Sequence, residues 1–319
     1  MKNSIMQNES RIYVAGHMGM VGSAIVRERK SLGFCNLILS TRLELDLLDE
    51  EAVNNFFNQE KPEYVFSAAA KVGGMKAFVE YPADFLFENL QIQNNIIWSA
   101  HKFAVNKLLF LSTSSIYPQG CPQPMQEEYI MTGKVDPSNE SYAVAKIAGM
   151  ELCRMISRQY GRNFISCAST NVYGENDSFD PKSSRIVASL LNRFHQAKLA
   201  NAPEVEIWGT GEARREFICV KDLAKACIFL MNNFDFSDQL YFVNVGSGED
   251  IKIADLAQLI KETVGYEGKI IWDVSKPEGR SSKLLDVSKI NKLGWKSEIS
   301  LAKGIKEFYN WYNRLDQRR

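Results

Sequence analysis

A loop with three glycines, set between a strand-like and a helix-like run, constrains this chain most. The stretch RIYVAGHMGMVGSAIV places Gly16, Gly19 and Gly22 after a strand predicted at 12–15 and before a helix predicted at 21–32. Glycines in this position permit a tight turn and a close approach to a pyrophosphate, which a helix N-terminus attracts. The alternative is a plain strand-to-helix turn that binds nothing, because the spacing G-x-x-G-x-x-G is weak evidence without its position.

Strand-like and helix-like runs go on alternating after this loop. Strands are predicted at 37–39, 64–68, 108–111 and 164–167, and helices at 50–59, 85–103 and 142–160. Strands that alternate with helices pair in parallel through right-handed crossovers. We therefore predict an α/β fold, a Rossmann doubly wound parallel sheet.

The pattern of residues changes after residue 173. Turn-forming residues cluster in GENDSFDPKSS, and the periodicity then predicts helices at 185–199, 221–232 and 253–264, with a strand and a turn at 205–216. We predict a Rossmann domain at 1–173. Residues 174–319 are predicted to form mainly a smaller C-terminal lobe, with parts of the later chain returning to the first domain.

Composition narrows the class of protein. Lys plus Arg and Asp plus Glu both total 38, a balance that argues against partners such as nucleic acid or an anionic membrane. No apolar run approaches the about 18 residues of a membrane span, and MKNSIMQNESR has no apolar signal core. The 6 Cys form no C-x-x-C pair and the 3 His lie far apart. We expect free thiols, no metal site and a cytoplasmic location.

The end of the second predicted strand bears on the choice of cofactor. The run LILS leads into Thr41 and Arg42. A guanidinium pairs with a 2′-phosphate, whereas the Asp or Glu usual in NAD enzymes would repel it. We therefore predict NADPH. Arg42 is alternatively solvated or paired with Glu44, and Asp46 is expected near the adenine ring.

A second motif indicates reduction of a ketone. Tyr142 and Lys146 form Y-x-x-x-K on one face of a predicted helix. The ammonium is expected to lower the pKa of the phenol, so that it protonates a carbonyl oxygen while hydride reaches the carbon. Upstream, LSTSSIYP puts Thr113 and Ser114 at the carboxyl edge of the sheet, where ligands bind in such folds. The order of glycine loop, hydroxyl residues and Y-x-x-x-K makes a chance match a poor explanation.

Together with AAAKVGGMKAF, YPADFLFEN, SYAVAKIAGMELC, IWGTGEARREF and KPEGRSSKLLDV, these stretches give a family resemblance over nearly the whole chain. The chain resembles the extended short-chain dehydrogenase/reductases and, within them, the GDP-L-fucose synthase family, which acts on GDP-4-keto-6-deoxymannose. The resemblance implies NADPH as cofactor and a GDP-linked 4-keto sugar as substrate, with the C-terminal lobe at 174–319 as mainly the GDP-sugar-binding, and so substrate-binding, domain. It also implies a homodimer formed through the helices at 85–103 and 142–160.

The resemblance also implies roles for matching residues. Tyr142 would be the general acid, Lys146 would bind the nicotinamide ribose, and Thr113 would replace the family's catalytic Ser. The implied cofactor-binding residues are Gly16, His17, Met18, Gly19, Met20, Val21, Gly22, Arg42, Asp46, Leu111, Ser114, Lys146, Ser169, Thr170, Asn171, Val172 and Arg185. The implied substrate-binding residues are Arg193, Trp208, Arg215 and, as a weaker candidate, Lys283. Without the resemblance, the two Arg would be read as solvated or ion-paired and Trp208 as core.

Two positions depart from the family pattern. The family epimerises C3 and C5 with a Cys in S-S-C-I-Y-P and a His before the R-F-H helix, where this chain has Ser115 and Arg185. A serine hydroxyl is a far weaker acid than a thiol, and Arg stays protonated. We therefore hypothesise a C4 reductase whose epimerase activity is lost or weak. The bifunctional alternative stays open because Glu175, Asp177 and Asp180 lie in the nearby loop and are candidate bases.

A third departure concerns the glycine loop, where relatives often carry Arg and this chain has Met18. Without that Arg, Arg42 has to supply more of the positive charge that binds the 2′-phosphate. The preference for NADPH is therefore expected to be weaker than in the family. A different class of function is a non-catalytic NADP-binding regulator. The intact pair of Tyr142 and Lys146 argues against it.

Overall fold

The computed structural model describes residues 6–180, 184–276 and 281–316. Its strands are β1 (Ile12–Ala15), β2 (Leu37–Ile38), β3 (Tyr64–Ser67), β4 (Lys107–Thr113), β5 (Asn163–Ser169), β6 (Asn171–Tyr173), β7 (Glu204–Trp208), β8 (Arg214–Cys219), β9 (Phe242–Val245), β10 (Asp250–Lys252) and β11 (Lys269–Asp273). Its α-helices are α1 (Met20–Ser31), α2 (Glu50–Glu60), α3 (Met75–Glu80), α4 (Pro82–Lys102), α5 (Glu140–Tyr160), α6 (Ile186–Leu199), α7 (Val220–Asn233), α8 (Ile253–Val264), α9 (Ser288–Leu293) and α10 (Leu301–Asp316).

Six strands form one parallel sheet in the order β2-β1-β3-β4-β5-β9. The order reverses at β1, which pairs with β2 on one side and with β3 on the other. A crevice outside the carboxyl ends of the strands at such a switch point is where doubly wound folds bind ligands. The predicted α/β class with a doubly wound parallel sheet is confirmed.

Successive residues of β1 face two separate cores. Ile12 and Val14 belong to the core that contains Leu223 of α7, whereas Tyr13 belongs to the core that contains Phe57 of α2. This alternation is what a strand buried on both faces requires. The sheet is therefore covered by helices on both sides, and its carboxyl edge remains for a ligand.

The later chain builds a smaller lobe with its own core and also returns to the main sheet. Two small sheets, β10-β8-β6 and β11-β7, pack with α6, α8 and α10 around buried residues that include Phe194 and Phe308. β9 completes the six-stranded sheet and α7 packs into its core. The domain boundary at 173/174 stays a prediction. The run at 205–216 holds two strands in different sheets, β7 and β8, rather than one strand and a turn.

All six cysteines are free thiols. Within the described ranges, no helix combines the length and the apolar character that crossing a membrane requires.

Candidate active site

The glycine loop is shaped by close backbone contacts. Gly16 has a φ of +79°, and a Cβ on Gly22 would collide with the carbonyl oxygen of Gly16. The amide of Gly19 donates to that same carbonyl at 2.9 Å. α1 follows directly, and no side chain caps its first turn. Its first amide groups thus suit an anion such as a pyrophosphate.

A cavity of about 740 Å³ opens at the carboxyl edge of the main sheet. It brings together the glycine loop, Arg42, Asp46, Thr113, Ser115, Tyr142, Lys146, the segment 169–172, Arg185 and Lys283. Every implied cofactor residue except Ser114 lines it. Ser114 is buried, because the chain turns into a short 3-10 helix at Ser114–Ile116 and neighbouring side chains there face different sides.

The segment that follows β3 also lines this cavity, although the sequence analysis gave it no role. Residues 68–73, together with Phe78 and Glu88, belong to the wall. The available signal was the general rule that ligands lie at the carboxyl ends of parallel strands, since 68–73 directly follow β3. Asn139 at the start of α5 is a further lining residue that the motifs did not indicate.

Lys146 is buried and tied to the sheet. Its Nζ donates a hydrogen bond of 3.0 Å to the carbonyl oxygen of Leu111, and it lies 4.6 Å from the centre of the Phe110 ring. Only 3% of the residue is exposed. Burial lowers the pKa of Lys146 to about 8. The carbonyl at the end of β4 thereby fixes the amine in the wall of the cavity.

Tyr142 lies one helical turn before Lys146 on α5, and its ring centre is 5.8 Å from that amine. Burial raises the pKa of Tyr142 to about 12, and the charge of Arg185 acts in the opposite direction. The expectation that Lys146 lowers the pKa of this phenol is therefore wrong for the protein alone. Desolvation of the phenolate dominates the pKa of Tyr142, and desolvation also lowers the pKa of the Lys146 ammonium.

Ser115, which stands where the resemblance implies a Cys, accepts two hydrogen bonds. Asn139 Nδ2 donates to Ser115 Oγ at 3.1 Å, and Lys283 Nζ lies 3.3 Å from the same oxygen. Thr113 Oγ1 accepts from the amide of Ser115 at 3.3 Å. With two donors on its oxygen, the Ser115 hydroxyl is left to act as a donor.

Arg185 reaches this cavity from the start of α6. Its Nη1 donates to Asp177 Oδ1 at 2.8 Å, and the Asp177 side chain is 1% exposed. Burial raises the pKa of Asp177, and Arg185 opposes that rise. Asp177 does not line the cavity, and neither do Glu175 and Asp180. Glu175 instead faces Lys221 at 3.4 Å. None of the three candidate bases is therefore among the residues that line the cavity with Tyr142.

Arg42, in the loop after β2, lines the cavity. It is exposed and, within the described ranges, makes no ion pair. Glu44 instead accepts from the amide and the hydroxyl of Thr41 at 2.8 and 2.9 Å, contacts that lower the pKa of Glu44. The alternative pairing of Arg42 with Glu44 is not formed, so the guanidinium remains for a phosphate.

The other implied substrate residues lie in the smaller lobe, outside this cavity. Arg193 on α6 donates to the backbone carbonyl of Glu206 in β7. Trp208 ends the same strand and is 61% exposed, so its interpretation as core packing is wrong. Arg215 on β8 is half-buried and donates to the carbonyl of Arg214 at 2.7 Å. Among the described residues, no three His, Cys, Asp or Glu come together as a metal site.

Comparison with known proteins gives a consistent set of relatives. The model of the NAD dependent epimerase/dehydratase family matches residues 12–246. GDP-L-fucose synthase 1 of Arabidopsis thaliana is 50% identical over 310 residues, which cover 97% of this chain and 95% of the relative. A GDP-6-OMe-4-keto-L-xylo-heptose reductase from C. jejuni has a TM-score of 0.93 at 39% identity, covering 98% of this chain and 100% of that one.

A further solved structure is that of a GDP-mannoheptose C4 reductase from Campylobacter jejuni with NADP bound. It has a TM-score of 0.89 at 41% identity and covers 97% of this chain and 99% of that one. The family resemblance drawn from the motifs is confirmed.

Proposed function

Because this chain belongs to the NAD dependent epimerase/dehydratase family, we propose that it reduces the C4 ketone of a GDP-linked 4-keto-6-deoxy sugar, a hexose or a heptose, with C3/C5 epimerase activity lost or weak. The chain is an NADP-dependent oxidoreductase, as predicted. The observation that carries the proposal is one cavity that holds Tyr142 and Lys146 beside Ser115 and Arg185.

The cavity fits the dinucleotide on structural grounds. The glycine loop has no room for a Cβ at Gly22, the first turn of α1 lacks a side-chain cap, and Arg42 is exposed at the end of β2. These features suit the pyrophosphate and the 2′-phosphate respectively. Lys146 would hold the nicotinamide ribose, and when bound the cofactor supplies the hydride for C4.

Three residues of this chain have separate roles in the proposed reduction. Tyr142 Oη gives its proton to the ketone oxygen as that oxygen gains negative charge. The hydroxyl of Thr113 donates a hydrogen bond to the same oxygen and orients it. Lys146, fixed by its bond to the carbonyl of Leu111, keeps a positive charge beneath the site at neutral pH. All three side chains line the cavity.

Epimerisation asks for more than this cavity offers. A base must remove hydrogen from the carbon beside the ketone and an acid must return one to the other face. Ser115 has only the weak acidity of a hydroxyl, and Arg185 stays protonated. The other titratable lining residues are His17, Asp46, Lys71, Glu88 and Lys283. Lys71 is paired with Glu88, and the Lys283 amine donates to the Ser115 hydroxyl, so it is not a free base at that position. The absence of a tunable acid–base pair at these two positions supports the reductase proposal.

The second candidate function is a bifunctional GDP-L-fucose synthase, a 3,5-epimerase/4-reductase. The 50% identity to the Arabidopsis enzyme favours it. NMR of the product formed from a GDP-4-keto-6-deoxy sugar, with and without a separate epimerase, distinguishes the two. Our proposal predicts that C3 and C5 keep their configuration unless the epimerase is added. Inverted centres without it would favour the second candidate.

The GDP end of the substrate is proposed to bind at Arg193, Trp208 and Arg215. Two phosphates suit a pair of guanidinium groups, and an exposed indole suits stacking on a base. Binding calorimetry with GDP, UDP and dTDP tests this, and we expect GDP to bind with the lowest Kd. If none of a panel of GDP-keto sugars caused NADPH oxidation, the non-catalytic regulator would become the better account.

We propose that a second copy of this chain covers α4 and α5. Phe87 and Trp98 on α4, like Val144 and Met155 on α5, are exposed apolar residues spaced by three helical turns, so each pair shares a face. Exposed apolar faces of this kind are typical of subunit interfaces. Sedimentation analysis is expected to show a dimer for the protein and a monomer for Phe87→Glu/Met155→Glu. A monomeric unaltered protein would contradict this.

The six free thiols support a cytoplasmic location. We propose that the protein there makes nucleotide sugars for surface polysaccharide.

A further inference from the structure

The strap, which we define as residues 281–286, brings Lys283 to the cavity. Lys283 lines the cavity, and its Nζ donates to Ser115 Oγ at 3.3 Å. The backbone of the strap is bound to two other segments. The amide of Glu216 in β8 donates to the Lys283 carbonyl at 3.2 Å, and the amide of Met125 donates to a second strap carbonyl at 2.7 Å. The position of the Lys283 amine therefore depends on how firmly the strap is held.

The carboxylate of Glu216 holds the strap a second time. Glu216 is fully buried. Its Oε2 accepts from the amide of Leu285 in the strap at 2.9 Å, and its Oε1 accepts from the amide of Gly248 at 2.8 Å. A Cβ on Gly246 would collide with Oε1, so the turn that follows β9 packs directly against the carboxylate. Hydrogen bonds to an ionised acceptor are stronger than neutral ones, so this carboxylate fixes both the strap and the turn to β8.

The main chain of Glu216 supports a different part of the cavity wall. Its carbonyl oxygen accepts from Thr170 Oγ1 at 3.1 Å and from Asn171 Nδ2 at 2.8 Å. Both of these residues line the cavity, in the segment assigned to the cofactor. Because the two bonds end on the backbone, a substitution of the Glu216 side chain keeps their acceptor. Side-chain variants can therefore separate the strap from the cofactor segment.

We propose that Glu216 is a positioning residue for the sugar end of the substrate: by fixing the strap, it places the Lys283 amine beside Ser115, where this amine binds an oxygen of the keto sugar. The inference rests on the proposed ketone reduction. An ammonium carries several N–H donors, so one can bind Ser115 and another the sugar. Glu216 itself does not line the cavity, and it acts on the substrate through the strap.

The test is a double-mutant cycle in the full-length protein, assayed with NADPH and a GDP-4-keto-6-deoxy sugar. Glu216→Gln keeps the size of the side chain but turns one acceptor oxygen into an NH2 group that faces an amide donor. We expect its KM for the keto sugar to rise about 10-fold and its Kd for NADPH to change little. Lys283→Met should raise the KM at least as much. Glu216→Gln/Lys283→Met should raise it no further than Lys283→Met alone.

Asp222→Asn is the matched control. Asp222 on α7 is also fully buried, and its Oδ2 accepts from the amides of Glu298 and Ile299 at 2.9 and 2.8 Å. None of these three residues lines the cavity. The control should lose stability as Glu216→Gln does, but keep the KM of the unaltered protein. Thermal unfolding sets an assay temperature at which each variant is folded.

An unchanged KM in Glu216→Gln overturns the proposal. So does a double variant whose KM rises by the product of the two single effects, because Glu216 would then act independently of Lys283. An equal rise in Asp222→Asn would indicate general loosening of the fold and also overturns it. If Glu216→Gln does not fold, Gly246→Ala takes its place in the cycle, since its methyl group displaces Oε1 and keeps the charge.

Hydrogen exchange of the backbone amides, followed by mass spectrometry without substrate, separates failure of this inference from failure of the proposed function. Glu216→Gln should speed exchange at Leu285 by about 10-fold and leave the amides held by Asp222 unchanged. Unchanged exchange at Leu285 would overturn the inference whatever the substrate is. If the unaltered protein reduced no GDP-4-keto sugar while this exchange still rose, the fixing of the strap by Glu216 would stand and the assigned reaction would fall.

Discussion

Lys146 Nζ donates a 3.0 Å hydrogen bond to the carbonyl oxygen of Leu111, which ties the amine on α5 to the end of the central strand β4. The Lys146 side chain is desolvated there. Among the described residues, the Leu111 carbonyl is the acceptor to which its amine donates, and this acceptor is uncharged. The bond explains how a buried lysine keeps a fixed position in the wall of the cavity without a carboxylate partner.

The first prediction concerns stability as a function of pH. Between about 8 and the ordinary 10.5, the folded protein has lost the Lys146 proton that the unfolded chain still binds, so stability rises with pH in that window. The free energy of unfolding of the unaltered protein, relative to Lys146→Met, is expected to increase by about 3 kcal/mol from pH 7.5 to 10.5. Urea unfolding at several pH values measures it. Lys30→Met, which changes an exposed lysine, should give a flat difference.

A second prediction concerns the proton donor. Tyr142→Phe removes the phenolic proton and should lower kcat for ketone reduction by about 10²–10⁴-fold. NADPH affinity should change little, because the ring is kept and the substitution removes an interaction made in the transition state. Tyr160→Phe on the same helix is the matched control, since Tyr160 is 46% exposed and does not line the cavity. A Tyr142→Phe enzyme with near-normal kcat would remove this tyrosine from the mechanism.

The third prediction compares two glycines of the same loop. In Gly22→Ala the new methyl group would overlap the Gly16 carbonyl, whereas in Gly19→Ala it would lie 3.3 Å from the same oxygen. We expect Gly22→Ala to lower the free energy of unfolding by about 1–3 kcal/mol and to weaken NADPH binding strongly. Gly19→Ala should do much less in both respects. Equal effects of the two substitutions in thermal unfolding and in NADPH titration would contradict this.

A fourth prediction concerns the choice between NADPH and NADH. Arg42→Ala should lower the ratio of kcat/KM for NADPH to that for NADH by about 10–100-fold, because a charged hydrogen bond to the 2′-phosphate contributes about 1.5–3 kcal/mol. Met18→Arg should raise the ratio, since it adds a cation to the exposed glycine loop. An unaltered enzyme that prefers NADH would refute the role assigned to Arg42.

The main sheet was predictable because it rests on local patterns. The apolar runs of β1, β3, β4 and β5 are short and fully or largely buried, and helical periodicity separates them. The glycine loop was predictable for the same reason, because the close contact between Gly16 and Gly22 forms within one short stretch of chain. Strands β7 and β8 could not be separated in this way. Their partners β11 and β10 are distant in sequence, and pairing of this kind leaves no local signal.

The parts of the site that the sequence missed depend on burial. Spacing brings Tyr142 and Lys146 to one face of α5, but it does not indicate how much water surrounds them, so the direction of the phenol's pKa came out wrong. Whether Ser114 or Ser115 faces the cavity depends on one short 3-10 turn. The ion pair of Arg185 with Asp177 joins two residues that the sequence analysis had considered separately as a substituted acid and as a candidate base.

A fifth prediction restores what the cavity lacks. In Ser115→Cys/Arg185→His, a thiol beside Lys283 and an imidazole at the start of α6 provide two tunable groups. We expect this variant to exchange hydrogen at C3 or C5 of a GDP-4-keto-6-deoxy sugar faster than the unaltered enzyme. Ser115→Ala/Arg185→Gln, which offers no titratable group at either position, is the control and should show no gain. A variant no faster than this control would place the missing groups elsewhere.

The most direct measurement incubates the unaltered enzyme, NADPH and a GDP-4-keto-6-deoxy sugar in deuterated water and locates deuterium in the product by NMR. The account predicts a reduced C4 with no deuterium on C3 or C5, because neither Ser115 nor Arg185 can remove hydrogen from those carbons. Deuterium at either carbon after a turnover by the enzyme alone would contradict it.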